Sequence, residues 1–186
     1  MSTAAVVLAA GGGSRFAGRT HKLLAPLAGQ PVVAHVLAAV RSAALEHTIV
    51  VTGAVDLSAL LGGDDLVVVH NDRWADGQST SVAAGVRAAD ELGVDAVVVG
   101  LGDQPFVPAE AWRRVAGSAS PLAVATYDGR RRNPVRIARA LWPELPDEGD
   151  VGARDLLTLH RELVERVACP GSPDDIDTQE DLRRWS

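Results

Sequence analysis

The chain predicts an α/β sandwich built on a mostly parallel sheet, and three observations carry that expectation. Short runs rich in Val, Ile, Leu and Ala alternate with segments of helical apolar spacing from one end to the other, the pattern of successive βα units. Several runs are continuously apolar, as strands buried on both faces are. The first of them, Ala4 to Ala10, opens directly into Gly11, Gly12 and Gly13. Open α/β sheets hold ligands beyond the carboxyl ends of their strands. At 186 residues one domain, 1–186, is the simplest organisation and is long enough for a sizeable core.

Each element has its own local reason. After Ala4–Ala10 and the glycine loop, Gly29-Gln30-Pro31 marks a turn. Pro31 suits the start of a helix, where its missing N–H costs nothing. Val32, Val33, Val36, Leu37 and Val40 then recur at helical spacing, with His35 beside the stripe as a packed or boundary residue. Thr48–Val51 reads as a strand. Asp56 caps a short helix over Leu57–Leu61, stopped by Gly62-Gly63. Leu66–Val69 is continuously apolar and reads as a strand buried on both faces. The polar segment from His70 to Ser79 is a loop, and Ser79–Leu92 is helical, closed by Gly93. Ala96–Leu101 is a strand that delivers Gly102-Asp103-Gln104-Pro105. Pro108 opens a helix through Trp112 to Val115, and Leu122–Thr126 is a strand. Asp128 to Pro134 reads as a basic loop, and Ile137–Leu145 as a weak helix interrupted by Pro143. Asp150 caps a helix over Gly152–Leu163, Val164–Ala168 is the last strand, and Thr178 caps Gln179–Trp185.

Composition narrows the function. The net charge of −6 argues against a nucleic-acid surface. The single cysteine, Cys169, rules out an internal disulfide and suits a reducing, cytoplasmic setting. Met1 to Thr3 lack the basic start of a secretory signal. No apolar segment approaches the roughly 20 residues of a membrane span.

The glycine loop is the strongest chemical signal. Glycines bring backbone N–H groups close to a ligand, and successive N–H groups converging on one concavity bind an anion. Ser14, Arg15 and Lys22 add a hydroxyl and two cations. The dinucleotide fingerprint G-x-G-x-x-G fails, because Phe16 stands where the third glycine belongs. The P-loop pattern nearly fits Gly13 to Thr20, with Gly18 in place, but Arg19 replaces its lysine, and a planar guanidinium does not substitute for a point charge. A third pattern, L-A-A-G-x-x-x-R with a later lysine, fits Leu8, Ala9, Ala10, Gly11, Arg15 and Lys22.

Asp103 is the sharpest single candidate elsewhere. It follows an apolar strand and precedes Pro105, so a carboxylate sits at a strand tip on a stiff turn. Mg²⁺ favours such a site, taking one or two carboxylates, phosphate oxygens and water. The competing reading is an aspartate that caps a turn or the next helix, and the glycine loop weighs against it, since triphosphate and metal belong together. Asn71, Trp74, Gly77, Ser79 and Ser81 offer hydrogen bonds to a base or ribose, or merely a serine-capped loop. Arg130, Arg131, Arg132, Arg136 and Arg139 form either an anion site or a solvated face. Arg154 stands in a first helical turn, where it opposes the dipole, which points to an anionic partner. Asp174, Asp175 and Asp177 precede a helix as dipole-favoured acids, with Asp177 alternatively reaching the metal. His21 is a further candidate phosphate contact. No Ser-His-Asp or zinc spacing is evident.

Taken in order, Leu8-Ala9-Ala10-Gly11 with Arg15 and Lys22, then Asn71, Trp74, Gly77 and Ser81, Leu101 to Pro105, Gly149 to Arg154, and Asp175-Ile176-Asp177-Thr178 with Glu180-Asp181-Leu182 resemble the MobA-like nucleotidyltransferases, in particular the molybdenum cofactor cytidylyltransferase branch. The resemblance implies a three-layer sandwich around a Rossmann-like, mostly parallel sheet. It implies transfer of CMP from CTP to the phosphate of molybdopterin, a phosphorylated pterin acceptor, with release of pyrophosphate and delivery of product to a molybdoenzyme. It also implies that Arg15 and Lys22 hold the triphosphate, with Leu8 to Ser14, Asn71, Gly77 and Ser81 around the nucleotide, and that Asp103 holds Mg²⁺. In this branch Ala-Ala-Gly accompanies cytidylyl transfer, whereas Ala-Gly-Gly accompanies guanylyl transfer. Two departures stand out. The loop from Gly11 to Lys22 is longer than the family form, and a Gly-x-Gly-His-Pro motif beside the acceptor appears as Arg131-Arg132-Asn133-Pro134. Asn133, Pro134 and Arg154 are therefore the candidates for acceptor binding. A related transferase using GTP or a sugar phosphate, and a non-catalytic cofactor-binding module, are the competing expectations.

Overall fold

The computed structural model describes residues 1–16, 20–63 and 65–185. The strands and helices are, in chain order, β1 (Thr3–Ala9), β2 (Pro26–Leu27), β3 (Gln30–Pro31), α1 (Val32–Ala43), β4 (His47–Thr52), β5 (Leu66–His70), α2 (Gln78–Glu91), β6 (Ala96–Leu101), α3 (Ala109–Ala116), β7 (Leu122–Tyr127), β8 (Arg130–Ala138), α4 (Arg154–Leu159), β9 (Val164–Ala168) and α5 (Gln179–Trp185). Seven strands form one sheet in the order β5-β4-β1-β6-β8-β7-β9, and β2 and β3 make a separate short hairpin. β1 pairs in parallel with both β4 and β6, β4 with β5, and β7 with β9; β8 runs antiparallel between β6 and β7.

Every residue of β1 is buried because both of its faces are covered. Ala5, Val7 and Ala9 meet Val33, Val36, Val40 and the α3 residues Ala111, Trp112 and Val115 on one side. Ala4, Val6 and Leu8 meet Val82, Ala89 and Leu156 on the other. Helices thus flank the sheet on both faces, as the expected three-layer arrangement requires. A third, smaller cluster joins Phe16, Leu27 and Val32 to Ile176 and Leu182, which ties α5 to the glycine-loop end of the molecule. No helix among the described residues is long and apolar enough to cross a membrane.

Four local expectations are corrected. Leu66–Val69 is an edge strand and not a doubly buried one: β5 pairs with β4 alone, and Val68 is 47% exposed. The basic segment is no loop, because Asp128 and Gly129 take φ of 49° and 76° and turn β7 back into β8. Asp-Gly with positive φ at both positions is a strong hairpin turn. Ile137 and Ala138 consequently end β8, and only 139–144 coil, as a 3₁₀ turn. The helix expected over Gly152–Leu163 is confined to Arg154–Leu159, followed by a 3₁₀ turn at Arg161–Leu163. Asp150 does not cap it. Its carboxylate accepts from the Gln78 N–H at 3.3 Å, so it caps α2 from across the chain. The expected cap at Thr178 is present: Asp181 N–H donates to its hydroxyl while the Asp181 carboxylate accepts from Thr178 N–H, a reciprocal capping box.

Candidate active site

The carboxyl ends of β1, β4, β5 and β6 lie side by side, since these strands are parallel and in register. The turns that follow them therefore meet at one edge of the sheet. A cleft of 490 Å³ opens there, lined by Leu8 to Arg15, Lys22, Leu23, Trp74, Ala75, Gly77, Gln78, Ser81, Leu101, Asp103 and Asp150. The glycine loop forms one wall. The Trp74 ring presses against it so closely that a Cβ on Gly12 would lie 2.9 Å from the indole, which only glycine permits.

Lys22 stands at the centre. Its ammonium donates to Asp103 at 2.5 Å and to Asp177 at 2.7 Å, and the second Asp177 oxygen receives the exposed Arg15 guanidinium at 2.9 Å. Burial by itself lowers the pKa of an ammonium. Here the Asp103 carboxylate, joined by Asp177, outweighs burial and holds Lys22 above its ordinary value, so the charge is fixed. Asp103 reaches this point because Gly102 N–H donates to the Leu8 carbonyl, docking the β6 tip on β1. Asp177 reaches it because Ile176, fully buried, donates its N–H to the Asp103 carbonyl.

The donor set suits a hard cation. Among the described residues Asp103 Oδ1 is buried and has no hydrogen-bond partner, an acceptor whose desolvation is uncompensated. Asp177 supplies a second carboxylate across the shared ammonium. Among the described residues no group of three or more His, Cys, Asp or Glu side chains could hold a metal ion. Two carboxylates with substrate phosphates and water are nevertheless what Mg²⁺ ordinarily takes.

A second cavity, of 440 Å³, adjoins the first and shares Leu8, Gln78 and Leu101 with it. Its remaining wall is mixed, with Val82, Val99, Val124, Val135 and Leu157 among its apolar residues and Arg131, Arg132, Asn133, Arg154, Gln104 and Asp175 as its polar ones. Gln104 donates to Asp175 at 2.7 Å. Burial, and secondly the Asp103 charge, push the Asp175 carboxyl up to about 6.

Most of the residues singled out in the sequence meet in these two cavities, and several do not. Asn71 is not in the cleft wall. Its amide nitrogen donates to Thr80 and Ser81 and its oxygen accepts from Arg73 N–H, so a buried amide with every group engaged braces the loop and offers nothing to a base. Ser81, by contrast, receives that bond and lies in the cleft wall. Ser79 is buried inside the first turn of α2 and accepts from Gly152 N–H. The basic cluster divides: Arg131 and Arg132 face the second cavity, while Arg136 is buried and donates to the Ser120 carbonyl and Arg139 pairs with Asp90 and lies over Trp142. Pro134 lies next to that cavity's Asn133 but not in its wall. His35 Nε2–H donates to the Leu27 carbonyl at 2.8 Å, in keeping with a boundary role. Gly18 and Arg19 lie outside the described residues. Gln78 and Asp150 were missed as wall residues; the glycines flanking Asp150 were the only local signal.

Comparison with known proteins agrees with this geometry. Residues 5–166 match the MobA-like NTP transferase domain. The chain is 31% identical to the purine catabolism protein PucB of Bacillus subtilis, over 94% of this chain and 92% of that protein. It is 30% identical to the bifunctional protein GlmU of Gluconacetobacter diazotrophicus over 97% of this chain, but spans only 39% of that longer protein. A nucleotidyl transferase from Methanothermobacter superposes with a TM-score of 0.83 at 30% identity, over 98% of this chain and 95% of that one. Rv0371c of Mycobacterium tuberculosis, solved in complex with manganese, superposes with a TM-score of 0.75 at 29% identity, over 100% and 98%. The chain belongs to the MobA-like NTP transferase family.

Proposed function

We propose that the chain transfers CMP from CTP to the phosphate of molybdopterin, releasing pyrophosphate, with the triphosphate in the 490 Å³ cleft and the acceptor in the adjoining cavity. The observation that carries the reading is the meeting of Lys22, Asp103 and Asp177 at the mouth of the glycine loop. The Ala9-Ala10-Gly11 motif supports cytidine over guanosine through the family resemblance. The size of the second cavity, and its mixture of aliphatic side chains with Arg131, Arg132 and Arg154, suit a ring system carrying a phosphate.

The reaction needs little acid–base chemistry. A phosphate monoester is already ionised near neutral pH, so its oxygen attacks the α-phosphorus without a general base. The chain's part is to align and to neutralise. Loop N–H groups and Lys22 receive the triphosphate, and Arg15, open to solvent, leaves Asp177 to meet the outer phosphates. Ser81 offers its proton to the nucleoside. Arg154 and Arg131 hold the acceptor's charge. Asp103, with Asp177 beside it, would hold Mg²⁺, which when bound neutralises charge on the leaving pyrophosphate; the manganese complex of Rv0371c supports that assignment.

The test is pyrophosphate release from each of CTP, GTP, ATP and UTP with purified molybdopterin as acceptor. The reading predicts turnover with CTP well above the others. Equal or greater turnover with GTP, or no turnover with molybdopterin in a parallel series where a sugar phosphate acceptor does support it, would replace it.

A further inference from the structure

His21 was a candidate phosphate contact, and the structure gives it a different task. Its imidazole bridges the two halves of the anion-binding turn. Nε2 lies 3.0 Å from the Gly11 carbonyl oxygen, and Nδ1 lies 3.2 Å from the Leu23 backbone nitrogen. The partners fix the proton. A carbonyl only accepts and a backbone N–H only donates, so Nε2 carries the hydrogen and Nδ1 does not. Both ring nitrogens are thereby occupied, and neither remains for substrate. The ring also backs the loop, since a Cβ on Gly13, with its φ of +60°, would lie 3.0 Å from Nε2.

We infer that His21 is a positioning residue for nucleotide binding: its Nε2–H bond to Gly11 holds the glycine cradle at the right distance from Lys22. The bond to Leu23 is local and starts the short turn Lys22–Leu24. The bond to Gly11 spans the loop and, among the described residues, is the side-chain hydrogen bond that joins the cradle's first glycine to the Lys22 turn. A cradle whose N–H groups are pre-aimed loses less entropy on receiving a triphosphate. This inference rests on the family reaction, in which an NTP occupies the cleft, and not on the choice of cytidine or pterin.

Two near-isosteres separate the arms. In His21→Asn the side-chain oxygen reaches the Leu23 N–H, as Nδ1 does, but the side chain stops short of Gly11. In His21→Gln the terminal amide nitrogen reaches Gly11 and the Nδ1 position is lost. Dissociation constants for CTP, GTP, ATP and UTP, each with Mg²⁺, are measured by calorimetry on wild type, His21→Ala, His21→Asn and His21→Gln, with thermal melts as a folding control. The expected result is about a tenfold loss of affinity for the best-bound nucleotide in the alanine and asparagine variants, the size of one hydrogen bond in a partly buried site, with glutamine restoring most of it. Asparagine binding as tightly as wild type would make His21 a mere turn cap and overturn the inference, as would unchanged affinity in alanine. A wild type that prefers GTP refutes the cytidine reading and leaves the His21 test intact, whereas a wild type that binds no nucleotide refutes both.

Discussion

The chemistry of this chain turns on a lysine shared by two carboxylates. Lys22 donates to Asp103 and Asp177 within a largely buried site, and removing either partner leaves an uncompensated charge. Lys22→Ala and Asp103→Ala are each expected to lower pyrophosphate release by about 100-fold or more, the usual cost of losing one preorganised electrostatic partner. Circular dichroism should show the fold retained, because neither side chain belongs to the apolar clusters. Variants that keep near-wild-type rates would remove the assigned roles. At this scale the sequence was informative where a residue's neighbours in the chain constrain it. Asp103 could be placed at a strand tip, and Lys22 near the glycines, from local pattern alone. Asn71 and His21 could not be placed, because whether an amide or imidazole faces substrate depends on partners 10 residues away in each case, and nothing in the local pattern names those partners.

Elements carry the residues to their places, and their packing tolerates little change. Gly85 of α2 lies directly on the sheet: a Cβ there would meet Val6 at 2.5 Å and Val51 at 3.2 Å. Gly85→Ala is expected to destabilise by about 1–3 kcal/mol through overpacking, despite alanine's better helix propensity, as read by chemical denaturation. A neutral or stabilising result would show that α2 is free to move off β1. A pH-dependent tie holds the segment beside the second cavity. His160, at the end of α4, lies 2.7 Å from Glu144, and the Glu144 carboxylate raises the His160 pKa above 6.5. A folded pKa above the unfolded one means the pair stabilises at pH below 6.5 and loses that contribution as pH rises through the folded value. Glu144→Gln should therefore lower the melting temperature at pH 5.5 and leave it nearly unchanged at pH 9; an equal effect at both would show that the charge plays no part. The β7–β8 hairpin was signalled by Asp128-Gly129, yet the run of arginines after it masked the strand. Its side chains are exposed and charged at one end and buried at the other, so no single periodicity marks it.

Across the whole molecule, the alternation of apolar strands and helices foretold the sheet and the edge at which ligands gather, since parallel strands send their following turns to one side. It did not foretell that β8 would enter antiparallel between β6 and β7, because strand order is settled by which faces pack and not by chain order. That antiparallel strand brings Arg131, Arg132 and Asn133 to the second cavity, so the acceptor side of the site was the less legible half. The central claim is that the glycine turn and the Asp103 tip address one nucleotide. Its most direct test is a crystal structure with Mg²⁺ and a CTP analogue whose α–β bridge cannot be cleaved. The account predicts the triphosphate against the Gly11–Gly13 amides and Lys22, with the ion on Asp103. Density for the analogue elsewhere on the molecule, or an ion that leaves Asp103 untouched, would contradict it.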